Sequence, residues 1–205
     1  MAILNIPSLR RLAKAVSCIL VLVPAFLSAG MSPAEIKQFQ ETKVLADQGN
    51  PAAQVWLGTC YAYGIGVAKD GVAAVRLFRK VAEQGDASAQ YNLGVCYDVG
   101  LGVAQDAPEA VKWYCKAADQ RYAGGLYCLA TCYQNGTGVS KDEIEADAYL
   151  HLAGMKSMRQ PMDTRQELAR LEATMSLEAR LKGQQRAIEL QKEIEAKIVA
   201  AKVGK

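Results

Sequence analysis

The chain has 205 residues, about half of them apolar and 22% charged, with a formal net charge of +3. That suffices for one modest domain with a further segment at each end, and the apolar content without blocks of like charge excludes a disordered chain. Arg10, Arg11 and Lys14 supply the whole excess, because residues 1–30 hold no acid; the neutral remainder gives no electrostatic reason to expect nucleic acid or an anionic membrane as a partner.

Residues 1–30 read in the order of a secretory signal peptide: the three basic residues, an uncharged run from Ala15 to Leu27, then Ser28-Ala29-Gly30. At about 1.5 Å rise per residue that run covers roughly 20 Å as a helix, short of a bilayer core of about 30 Å. Cleavage is expected after Ala29 or Gly30, leaving no membrane segment and placing the product in a periplasm or outside the cell. Met31 occupies the place where a lipoprotein would carry cysteine, and Cys18 leaves with the signal. Residues 31–45 then start as a capping helix. Ser32-Pro33-Ala34-Glu35 is a capping box with proline at the first helical position, and Ile36, Phe39 and Val44 follow on an apolar face.

From Ala46 to Ala153 the same thirty-six residues are written three times, as 46–81, 82–117 and 118–153, with ten columns identical in all copies. A fixed period between about 20 and 50 residues signals a stacked array whose units bury their apolar faces only against neighbours. Each unit reads as two helices. Asn50 or Asp86 caps the first, which carries Leu57, Cys60 and Tyr61 or their equivalents on one stripe and stops at Gly64, Gly100 or Gly136. Val67, Val103 and Val139 fall in the turn, where they fill the gap between helices. Asp70, Asp106 and Asp142 cap the second helix, whose Ala74, Ala110 and Ala146 mark the close approaches. The third junction departs from the pattern, with Arg121-Tyr122 where the others have Gly-Asn and Gly-Asp, and is expected to be the least regular.

Residues 154–205 form a helical cap and tail. A first helix through Leu168 and Leu171 breaks at Thr174-Met175-Ser176, and a long second helix starts at Leu177. Leu168, Leu171, Leu177, Leu181, Ile188 and Ile194 are expected to cover the open end of repeat three, with Glu189, Lys192, Glu193, Glu195 and Lys197 as a solvated face. The apolar heptad is too broken for a coiled-coil partner site.

Five cysteines remain after signal removal. Cys60, Cys96 and Cys132 occupy equivalent positions on successive repeats, where helix spacing of about 8–10 Å exceeds the roughly 7 Å a disulfide spans; they read as small buried residues. Cys115 and Cys128 flank the turn between two antiparallel helices almost symmetrically, which makes a bridge between them a candidate in an oxidising compartment; an odd number leaves at least one thiol or an intermolecular link, and the pairing stays open. His151 is the lone histidine, and no His/Cys/carboxylate set at ligand spacing is evident around it, so neither a metal nor a cofactor is expected. The Gly-x-Gly turns follow helices rather than strands and lack a Lys-Ser/Thr beyond them, which excludes a phosphate loop.

The run AEQGDASAQYNLGVCY from Ala82 to Tyr97, then Gly100-Leu101-Gly102-Val103-Ala104-Gln105-Asp106 and the segment Ala110 to Tyr114, resembles the Sel-one-like repeat family, relatives of the tetratricopeptide repeats. The likeness spans residues 46–153. It implies an all-α, α/α superhelical solenoid that binds proteins or peptides, often in assembly, secretion or envelope processes of bacteria, and it does not imply an enzyme. Gly125-Leu126 and Ala130 depart from the family's Ala-Gln and Gly. Cysteine-rich members bridge helices from positions matching Ala118 and Leu126 here; neither is cysteine, so that scheme does not transfer, and the hydrolase alternative, a β-lactamase-like activity ascribed to some of those members, finds no catalytic constellation in this sequence. The candidate recognition surface is the inner face of the first helices: Trp56, Thr59 and Tyr63, then Asn92, Val95 and Val99, then Cys128, Thr131 and Asn135. The resemblance makes Asn92 the asparagine that can hold a ligand's backbone, and Trp56 is an aromatic of the kind that anchors interfaces. The expected function is that of an exported, non-catalytic binding module. A secreted effector that binds a host protein, or a spacer without a ligand, are the alternatives, and the spacing leaves oligomeric state open.

Overall fold

The computed structural model describes residues 32–156 and 162–203; the signal segment lies outside the described residues. Those residues form helices α1 (Pro33–Asp47), α2 (Pro51–Tyr63), α3 (Gly71–Ala82), α4 (Ala87–Val99), α5 (Ala107–Ala118), α6 (Ala123–Asn135), α7 (Glu143–Lys156), α8 (Met162–Thr174) and α9 (Leu177–Val203), with no strand among them. Each helix from α1 to α7 packs on its successor, and α9 returns to pack along α7. The result is the helical repeat solenoid that the period implies.

The helix ends follow the local chemistry. Ser32 and Glu35 close a reciprocal capping box at α1. Asn50 and Asp86 accept from the Ala53 and Ala89 amides at 3.0 and 2.7 Å. Asp70 and Asp106 do the same for Ala73 and Glu109, and Asp142 accepts from both Ile144 and Glu145. Gly64, Gly100 and Gly136 end the first helices in the left-handed conformation, φ 71–78°, which costs other residues about 1–2 kcal/mol.

The second glycine of each turn has a different task. At Gly102 an added Cβ would run into the carbonyl of Gly71 at the start of α3. Gly138 stands in the same way against Ala107 of α5, and Gly66 against Glu35 of α1. Every repeat thus rests, backbone on backbone, on the helix start of the unit before it. Beneath this contact Gly58 and Gly94 leave room for the rings of Phe78 and Tyr114. Repeat three has Leu150 in that column, and the smaller side chain accommodates Ala130 opposite it in one buried cluster. The two departures from the repeat pattern compensate each other.

The third junction is irregular, as expected. Arg121 is the non-glycine residue with positive φ among the described residues, 59°, and Tyr122 caps α6 without a side-chain hydrogen bond. Gln54 and Gln90 donate to the carbonyls of Ala46 and Ala82, buried links between successive helices; Leu126 replaces them in repeat three. Arg121 instead reaches Glu195 of α9 at 2.9 Å.

Both caps depart from expectation. On α1, Phe39 meets Tyr61 edge to face at 5.6 Å, but Thr42 and Ala46 are buried while Val44 is exposed. On α9, Leu177, Leu181 and Ile188 face solvent, Leu177 at 73% exposure, and the covering stripe is Gly183, Ala187, Leu190 and Ile194. The small residues decide this. Gly183 lies directly on the Asp147 carboxylate, so the helix turns its slimmest side to α7. Nor are the charges of α9 merely solvated: Lys197 pairs with Asp119 at 2.6 Å, and Arg186 joins Glu145 to Glu193.

The inter-unit glycine contact predicts a difference between two alanine substitutions. Gly85 has φ +96° and nothing within 4 Å of an added Cβ, so Gly85→Ala should cost about 1–2 kcal/mol from backbone strain alone. Gly102→Ala adds a backbone collision and should cost at least about 3 kcal/mol. Urea denaturation compares the two; equal losses would remove the contact from the account.

Candidate partner-binding face

Helices α2, α4 and α6 carry the nine residues expected on the inner face, three per helix at i, i+3 and i+7. Trp56, Tyr63, Val99 and Asn135 are exposed, with Tyr63 at 63% and Val99 at 64%. Thr59, Asn92, Val95 and Thr131 are half-buried. The half-buried polar side chains are tied to their own helices: Thr59 donates to the Val55 carbonyl, Thr131 to that of Tyr127, and Asn92 to that of Ser88 at 2.8 Å. These bonds hold the side chains in place and present a surface without formal charge. Cys128 and Val95 pack against the core cluster that spans the second and third repeats, where the Cys128 sulfur meets Tyr114.

Tyr91 is the residue the face analysis missed. Its ring lies 5.5 Å from Tyr122 and 6.2 Å from Tyr114. Burial, with help from Cys128, Tyr122 and Tyr63, pushes its hydroxyl up to about 12. The signal was present in the repeat alignment, where Tyr91 and Tyr127 share a column that holds Val55 in the first unit.

The bridge expected between Cys115 and Cys128 is not formed; both are free thiols, as are Cys60, Cys96 and Cys132 among the described residues. The two side chains have different surroundings. Cys128 sits with Tyr114 and Asp98, whereas Cys115 sits near Asp119 and Lys197 under α9. Burial raises each of the five described thiols, Cys96 and Cys128 to about 11 and Cys132 to about 12. A nucleophile needs the thiolate, so the shifts slow reaction of these sulfurs near neutral pH.

His151 requires a correction. A ligand set does surround it: its Nε2 lies 3.5 Å from an oxygen of Asp147, one turn before it on α7, and 3.5 Å from an oxygen of Glu172 on α8. The three donor atoms all fall within 4.8 Å of one another. Asp147 is 0% exposed, and neither of its oxygens nor His151 Nε2 has a hydrogen-bond partner among the described residues. Burial pushes the Asp147 carboxyl up, His151 draws it down and Glu172 pushes it up again. The i, i+4 spacing of Asp147 and His151 was legible. Glu172 was not, because it arrives only when α8 folds back on α7.

Comparison with known proteins places the array among named relatives. The family model of the Sel1 repeat matches residues 51–86, 87–122 and 124–157. A Sel1 repeat protein from Oxalobacter formigenes superposes with a TM-score of 0.58 at 31% identity, over 67% of this chain and 58% of that one. The protein c5321, a protective antigen present in uropathogenic Escherichia coli strains and displaying an SLR fold, superposes with a TM-score of 0.69 at 23% identity, over 87% of this chain and 39% of that one. This chain therefore spans about half the length of those two structures. No curated protein matches it.

The raised thiols predict slow labelling. Without reductant, the unfolded mature chain should alkylate at all five cysteines, and the native chain at pH 8 should label far more slowly, accelerating about tenfold per pH unit as the thiolate fraction rises toward pH 11. Fewer than five labels after unfolding would restore a disulfide.

Proposed function

Because this chain belongs to the Sel1 repeat family, we propose that it is an exported, non-catalytic protein- or peptide-binding module that serves as an assembly or adaptor protein in a bacterial envelope. Sel1 repeat proteins are generally protein-interaction modules. The observation that carries the reading is the exposed stripe on the first helices: Trp56, Tyr63 and Val99 stand out from helices whose buried sides already hold a complete core. Aromatic side chains on a rigid, uncharged surface supply contact area at small entropic cost and are enriched among interface anchors. Asn92, fixed by its bond to Ser88, lies on the same stripe and offers amide chemistry to an extended ligand's backbone.

Export rests on the basic, apolar and small-residue order of residues 1–30. No described helix is long and apolar enough to cross a membrane. Expression of the full chain in a bacterial host should yield, in the periplasm or medium, a product whose intact mass begins at Gly30 or Met31; a cytoplasmic product retaining Met1 would overturn export.

For the face, affinity capture from envelope fractions compares the mature chain with W56A/N92A. Both substitutions lie on solvent-reaching positions, so helicity should be unchanged, and a ligand of the stripe should fall by at least about tenfold, since anchors lose about 2 kcal/mol or more on truncation. Equal capture by both chains would move recognition away from this face.

A further inference from the structure

The cluster at the closing end of the array does not belong to the binding face. Asp147 is the fully buried charged residue of the described chain, and an ionised carboxylate without a partner is not left in a protein interior at small cost. His151 Nε2 lies 3.5 Å from one of the Asp147 oxygens, beyond the usual 2.7–3.2 Å of a hydrogen bond. Arg180 is the described cation that also acts on Asp147, after His151 and Glu172 in effect; its guanidinium Nε donates to the Met175 carbonyl. Core packing would have chosen an apolar residue here, as it does at Ala146, Ala148 and Leu150 on the same helix.

We propose that Asp147, His151 and Glu172 bind a divalent transition-metal ion that pins α8 to α7. The donor set is one imidazole nitrogen and two carboxylate oxygens, which suits zinc and its neighbours. Two carboxylates and a neutral imidazole bring the charge of a divalent ion to zero inside the fold. The spacing agrees. Ligands at about 2.0–2.1 Å around a tetrahedral ion lie about 3.4 Å apart, and both separations from His151 Nε2 are 3.5 Å. Gly183 of α9 closes over Asp147, where any side chain would strike its carboxylate, so the site is shielded on one side. On the other, His151 lines a hollow of about 240 Å³ with Leu150, Gly154, Thr164, Arg165 and Leu168, through which an ion can enter and solvent can complete the coordination. Protein segments only meet here after folding, so the ion stabilises the docked α8 as well as filling the site.

The test is a titration of the full mature chain, stripped with chelator and kept reduced, with Zn²⁺ by calorimetry and with Co²⁺ by visible absorption. The expected result is one equivalent per chain, a rise in thermal midpoint on loading, and a cobalt spectrum free of thiolate charge transfer. H151Q and E172Q replace side chains that are partly exposed, and each should keep its helicity while losing affinity by more than about 100-fold. Absence of binding by the wild type overturns the proposal, as does equal binding by both variants. A thiolate charge-transfer band overturns it too, by moving the ion to the cysteines.

Discussion

Successive units of this array touch through main chain as well as side chain, and the main-chain contact sets the pitch of the stack. Gly66, Gly102 and Gly138 press on Glu35, Gly71 and Ala107, each at the start of a helix in the preceding unit. No side chain can be inserted there, so the interval between units is fixed to within the thickness of a methyl group. Tolerances elsewhere follow. The columns that hold one residue type throughout, such as Leu57, Leu93 and Leu129, are those whose volume must fit a gap the glycine contact has already fixed. Repeat three shows the rule by exchange, because Ala130 is admitted only where Leu150 replaces an aromatic ring.

The same constraint separates core from surface. Side chains that face neither the preceding nor the following unit are released from it, and these are the positions at which the three copies differ: Trp56, Asn92 and Cys128 share one column, Tyr63, Val99 and Asn135 another. A solenoid can therefore alter what it recognises without altering how it stacks, since stability is carried by near-neighbour interfaces. The exception is Cys128, which the tyrosines around α4 and α5 draw into the core. One column can thus be exposed in the first unit and half-buried in the third.

Helix limits and caps were legible in the sequence because each depends on one or two local residues, such as Asp106 with Glu109 or Gly100 after Val99. The irregular third junction was legible for the same reason, in the absence of glycine and of a capping side chain at Arg121-Tyr122. What the sequence hid lies where close approach is decided by small residues far apart in the chain. Large apolar residues suggested that Leu177, Leu181 and Ile188 would cover repeat three, yet Gly183 and Ala187 do so, because a helix approaches most closely along its slimmest side. Glu193, Glu195 and Lys197 are exposed as expected, but their partners Arg186, Arg121 and Asp119 could not be read from the sequence, because two of the three lie on other helices or turns. Candidate face residues could be counted from the buried columns, but Tyr91 could not be placed until Tyr114 and Tyr122 were brought beside it.

The end of an array poses a problem that its interior does not. Each internal second helix is covered by the first helix of the next unit, but α7 has no next unit, and α9 covers it with Gly183, rather than a repeat glycine, at the close contact. Apolar packing through Leu171, Met175, Leu190 and Ile194 closes most of that surface. It does not fix register, because apolar contacts are non-directional. Direction comes from polar groups: Arg121 with Glu195, Lys197 with Asp119, Arg186 with Glu145, and the buried Asp147 between His151 and Glu172. The first three are partly solvated pairs of small individual worth. The fourth is buried, and a carboxylate there must be compensated, which makes the docking of α8 conditional on whatever completes the Asp147 cluster. Order at this end is therefore governed by local charge balance, whereas order within the array is governed by the glycine contacts.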